Sequence, residues 1–82
     1  MNDETYNGWA NYETWNVALW IGNDEGLYNM AREYRSARDP YAAFVDALRE
    51  FGGTIATETP DRVAWNDSSV DVDAINEMLG EL

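Results

Sequence analysis

Asp73, Glu77 and Glu81 recur every four residues near the end of the sequence. On a helix that spacing sets them on one face, about 6 Å apart along the axis. Such a row costs an isolated helix about 0.2–0.5 kcal/mol per like-charged pair. It also resembles the backbone of a nucleic-acid strand, whose phosphates follow a rise of about 3.4 Å per nucleotide plus helical displacement. Asp71, Asp67 and Asp61 extend the row. Its chemistry is recognition: a carboxylate ridge fits a basic protein groove of the kind that otherwise holds DNA or RNA. The plain alternative is a solvated helix face, with Asp71 and Asp73 complementing the positive end of the helix dipole.

A second candidate is aromatic. Tyr6, Trp9 and Tyr12 recur every three residues ahead of the first periodic segment. They either fold back over the core or form a partner-facing patch, since Tyr and Trp are enriched at interface hot spots. The candidate partner-binding residues are therefore Asp67, Asp71, Asp73, Glu77 and Glu81, with Tyr6, Trp9 and Tyr12.

Catalytic material is scarce. The sequence has no Cys, His or Lys, and its only serines are Ser36, Ser68 and Ser69. A hydroxyl without a positioned base is a poor nucleophile, and paired carboxylates act as acid and base only where their environments push the two pKa values apart. The expectation is a protein that is not an enzyme and needs no cofactor. Asp67, Ser69, Asp71 and Asp73 invite a calcium reading, but the spacing opposes it. A calcium loop opening at Asp67 would place Val72 where glycine is required and Met78 where a bidentate glutamate is required.

Charge narrows the partner. Sixteen Asp and Glu against five Arg give −11. Residues 1–25, including Asp3 and Glu4, carry −5; residues 26–55 are neutral; residues 56–82 carry −6. This balance repels nucleic acid and anionic lipid, so neither direct nucleic-acid binding nor membrane binding is expected. The expected partner is a protein with a basic surface, the chain itself being a monomer or homodimer. Arg32, Arg35 and Arg38 read as neutralising nearby carboxylates. The acidic start Met1-Asn2-Asp3-Glu4 and the lack of a long apolar run give neither a secretory signal nor a spanning helix, and a cytoplasmic location is expected.

These residues need a scaffold, and 82 residues allow one domain, 1–82, with one modest core. Without disulfide or zinc ligands, packing must hold it, and four Trp, five Tyr and two Phe supply the area. The run Trp15-Asn16-Val17-Ala18-Leu19-Trp20-Ile21 predicts a central helix, apolar nearly all round, capped by Asn11 or Thr14. Leu27, Met30, Ala31, Tyr34 and Ala37 share one face of a second, amphipathic helix. Asp39-Pro40 opens a third, striped by Tyr41, Phe44, Val45, Leu48 and Phe51 and stopped by Gly52-Gly53. A last helix runs from about Asp71 to the end, with Val72, Ile75, Met78, Leu79 and Leu82 inward. Residues 54–57 and 62–65 either pair as a small β-hairpin or form an ordered loop held by Ile55, Val63 and Trp65. The fold class is mainly α, a compact bundle of about four short helices.

The segment Gly8-Trp9-Ala10-Asn11-Tyr12-Glu13-Thr14-Trp15-Asn16-Val17-Ala18-Leu19-Trp20-Ile21 resembles the opening of a family of small uncharacterised proteins carried by phages, prophages and plasmids. Asn23-Asp24-Glu25 through Tyr28 extends the likeness, and Thr59-Pro60-Asp61 to Trp65 and the acidic C-terminal helix are similar in kind but less specific. The resemblance implies a mobile-element setting and transfers no functional residue. Together with the charge, it leads to the expectation of an inhibitor that mimics nucleic acid to block a host defence such as a CRISPR effector or restriction enzyme. The alternative is a regulatory or assembly adaptor of the element, its acidity serving solubility.

Overall fold

The computed structural model describes residues 6–82, so Asp3 and Glu4 of the acidic first block lie outside the described residues. Helices α1 (Tyr12–Asn23), α2 (Glu25–Glu33), α3 (Pro40–Phe51) and α4 (Val72–Gly80) follow in chain order, with a short 3-10 turn at Gly53–Ile55. The chain is mainly α. Helix α1 packs on α2 and α4, and α3 packs on α2 and α4. None of the described helices is long and apolar enough to cross a membrane.

Each helix starts where a short polar side chain takes up a free backbone N–H. Asn11 accepts from Thr14, Asp24 from Leu27, Asp39 from Ala42 and Asp71 from Ala74, at 2.8, 3.0, 3.4 and 3.2 Å. Such caps contribute about 1 kcal/mol each. Asn11, not Thr14, caps α1, so the helix opens one turn before Trp15. Asp24 both closes α1 and opens α2. Helix α2 ends at Glu33 with Tyr34 as its cap, leaving Ala37 in the turn beyond instead of on the helix face.

Val17, Ile21, Ala31, Phe44, Leu48, Ile75 and Leu79 are fully buried and join the four helices into one core. Two residues expected to face inward do not. Val72, the first residue of α4, is 39 % exposed, and Phe51, the last of α3, is 72 % exposed. Both sit at helix ends. Beyond Phe51 the chain bends away at Gly52 and Gly53 and does not return over the ring.

Between α3 and α4 the ordered-loop alternative holds and the β-hairpin does not. Ladder pairing is reduced to one bridge, Glu58 to Ala64. Residues 53–55 are taken by the 3-10 turn, and the Ile55 carbonyl accepts instead from the Trp65 indole N–H at 2.7 Å. Trp65 is 1 % exposed, meets Phe44 edge-on at a centroid distance of 5.7 Å, and accepts the Tyr41 hydroxyl on its carbonyl. Burial pushes the Tyr41 phenol well above its usual range, so it stays a neutral donor to that carbonyl.

The turn out of α3 depends on glycine. A Cβ on Gly52 would lie 2.6 Å from the Leu48 carbonyl oxygen and 3.0 Å from the Ala56 Cα, both backbone atoms. Gly52→Ala is expected to cost about 1–3 kcal/mol through this overpacking, visible as a lower midpoint in thermal unfolding. An unchanged midpoint would show that the turn relaxes freely.

Candidate functional site

The segment ahead of α1 is shaped by Asn7-Gly8, whose φ angles of 50° and 91° form a tight turn of the primed type. Tyr6 and Trp9 close it with paired backbone hydrogen bonds of 2.7 and 2.8 Å. The turn separates the three aromatic candidates. Trp9 is half-buried and packs against the core. Tyr6 and Tyr12, 40 and 39 % exposed, meet edge-to-face instead, and both pack at a tilt on Trp15, at centroid distances of 5.4, 4.9 and 5.7 Å. Trp15 therefore takes the place of Trp9 as the third member of the aromatic patch, although periodicity alone places it on the core helix. The Asn-Gly pair is the sequence signal for the turn.

The cap of α1 and a side chain of its first turn hold the start of α4 beside this turn. Asn11 donates to the Ser69 carbonyl at 2.6 Å, and the Thr14 hydroxyl accepts the Asp71 backbone N–H at 2.8 Å. Between turn and helix lies an open cleft of about 460 Å³ with Gly8, Trp9 and Ala10 on one wall. The other wall is Asp71, Ala74, Glu77, Met78 and Glu81. Three of the predicted acids and one predicted aromatic are thus brought together across a groove.

The remaining predictions divide. Asp73 is exposed on α4 outside the cleft lining. Asp67 lies in the preceding turn, accepting the Ser69 N–H at 2.7 Å, and belongs to a different groove between that turn and α3. Asp71 serves first as the α4 cap. Glu81 lies just past the last helical residue, so the straight ridge ends with α4 at Gly80. Arg35 donates to the main-chain oxygen of Leu82 at 3.1 Å, not to an acidic side chain. Among the described residues, no group of three or more acidic side chains is gathered as a metal would require.

Asp61 does not extend the ridge. One of its oxygens, Oδ2, accepts from Asn16 Nδ2 at 2.8 Å and from the Trp20 indole at 2.9 Å, and these bonds hold its carboxyl below the usual range. Asn16 is fully buried and accepts the Thr59 hydroxyl at 2.7 Å. Thr59 in turn accepts the backbone N–H of Asp61 and of Val63, both at 3.2 Å. This network fastens the 59–63 loop to α1.

The model of a family of unknown function, DUF7249, matches residues 2–82. The chain belongs to DUF7249. No curated protein and no solved structure matches it. In this DUF7249 chain the distinctive sequence stretches have structural work: Asn11 and Thr14 tie α1 to α4, while Asn16 and Trp20 tie it to Thr59 and Asp61. What remains of the candidate site is the acid-lined cleft and the edge-to-face pair of Tyr6 and Tyr12.

Proposed function

We propose that this chain is a non-catalytic, cytoplasmic protein-binding module that presents carboxylates to a basic groove of another protein, in the manner of a nucleic-acid mimic. The observation that carries the reading is the convergence of Asp71, Glu77 and Glu81 with Trp9 along one cleft. Carboxylates speed association with a basic surface and make it salt-sensitive. The half-buried indole and the exposed Tyr6 and Tyr12 add the apolar contact that gives an interface its specificity. The partner class is a nucleic-acid-handling protein, and with the mobile-element setting implied by the sequence resemblance, a host defence nuclease or CRISPR effector is the leading choice.

Glu77→Lys with Glu81→Lys is the test. Both side chains are exposed near the C-terminal end of α4, where positive charge complements the helix dipole, so the fold should be retained. Host proteins are first bound to duplex-DNA resin from a bacterial lysate, and the free chain is then applied as competitor. The wild type should release a defined subset of them, less effectively as salt rises. The double variant should need about ten times more protein for the same release. Equal release by both proteins would refute the acidic-cleft reading. Release that is insensitive to salt would favour an adaptor with an apolar interface.

A further inference from the structure

We infer that the groove between α3 and the turn preceding α4 is a second docking surface, which takes an aliphatic side chain of a partner segment flanked by lysine or arginine. The groove, about 400 Å³, is floored by Val45, Trp65 and Val70, with Ala42 and Val72 at its exposed mouth. This is where the outward turn of Val72 finds a use: its 39 % exposure leaves an apolar wall open at the start of α4. Around that mouth stand Asp39, Asp46 and Asp67, against the single cation Arg49.

Charge complementarity decides the occupant. A purely apolar partner would leave three carboxylates facing its rim, and an acidic one would be repelled by them and by the net −11 of the chain. Asp39 and Asp67 spend Oδ1 on local hydrogen bonds, Asp39 with Ala42 and Asn76, Asp67 with Ser69. A carboxylate accepts through both oxygens, so each retains capacity for an incoming ammonium or guanidinium. A basic segment with one aliphatic residue satisfies floor and rim together. This surface differs from the Trp9 cleft in composition, because its floor is mainly apolar, and it does not depend on Glu77 or Glu81.

The probe is a labelled synthetic peptide with one leucine between two pairs of lysines, compared with the same peptide carrying serine in place of leucine. Binding is followed by anisotropy and by methyl NMR shifts of the wild-type chain. The leucine peptide should bind about tenfold more tightly than the serine peptide, and shifts should centre on the Val45, Val70 and Val72 methyls. Ala42→Arg, at an exposed helical position, fills the mouth with a like charge and should remove that preference at an unchanged melting temperature. Asp46→Lys should weaken both peptides several-fold. Glu77→Lys with Glu81→Lys should leave the leucine preference intact, which separates this inference from the acidic-cleft reading. Equal binding of the two peptides, wild-type preference in a folded Ala42→Arg, or shifts centred on the Ala74 and Met78 methyls of the other cleft would each overturn it.

Discussion

Replacing Trp65 by alanine should unfold most of the chain at 37 °C or lower its melting temperature by about 12–40 °C. The estimate follows from two magnitudes. Truncating a buried Trp costs about 3–5 kcal/mol, and each kcal/mol shifts the midpoint of a domain this size by about 4–8 °C. Trp65 belongs at the upper end because its loss is more than a cavity. Its indole N–H also holds the Ile55 carbonyl at 2.7 Å. Removing the ring leaves the Ile55 carbonyl unpaired and takes the edge-on partner from Phe44. Trp65→Phe separates the two effects: it keeps apolar area and loses the indole donor, and should cost about 1–3 kcal/mol. Thermal denaturation followed by circular dichroism reads both. A Trp65→Ala midpoint within a few degrees of wild type would mean that the 53–65 loop contributes little to the fold.

The helices were legible because their signals are local. Asp39-Pro40 reports its own cap and first helical position, and a stripe such as Phe44, Val45 and Leu48 needs only the helical period to be read. The ends were less legible. Nothing in the spacing of Val72 or Phe51 reveals that the neighbouring chain turns elsewhere, and the helical period alone places both inward. The 53–65 loop is ambiguous in sequence because contacts outside any helical or strand period set its conformation: the Trp65 indole closes back on Ile55 within the loop, and Asn16 reaches across 43 residues to Thr59.

The candidate site was legible by type and not by grouping. Period four aligned Asp73, Glu77 and Glu81, but a cleft forms where another segment approaches, and the Asn7-Gly8 turn brings Trp9 to Asp71, Glu77 and Glu81 instead. Asp61 shows the converse. As an exposed acid in an acidic stretch it was indistinguishable from its neighbours, yet it is bound to Asn16 and Trp20. A buried asparagine in an otherwise apolar helix was the available clue, since a buried amide must find partners.

That clue yields the second large effect. Asn16→Leu keeps approximate size and raises helix propensity, but removes the amide donor and acceptor from the middle of the network. The Thr59 hydroxyl, 2 % exposed, loses its acceptor, and an unsatisfied buried donor costs about 1–3 kcal/mol. The change should also alter the pH dependence of stability. In the wild type the folded-state pKa of Asp61 is depressed, first by Asn16 and then by Trp20. The corresponding stabilisation is fully present above the unfolded-state value, about 3.9, and is lost as pH falls through the lower folded value. Without Asn16 the largest cause of the depression is gone, so the folded and unfolded values converge and that part of the acid loss shrinks. Denaturant midpoints measured from neutral pH to below pH 4 should therefore fall less steeply for Asn16→Leu than for wild type, from a lower starting stability. Asp61→Asn should flatten the same limb, and combining the two should add little further flattening, because both remove one interaction. An acid limb unchanged in Asn16→Leu would mean that Asp61 is held by Trp20 alone and that the amide fastens the loop only through Thr59.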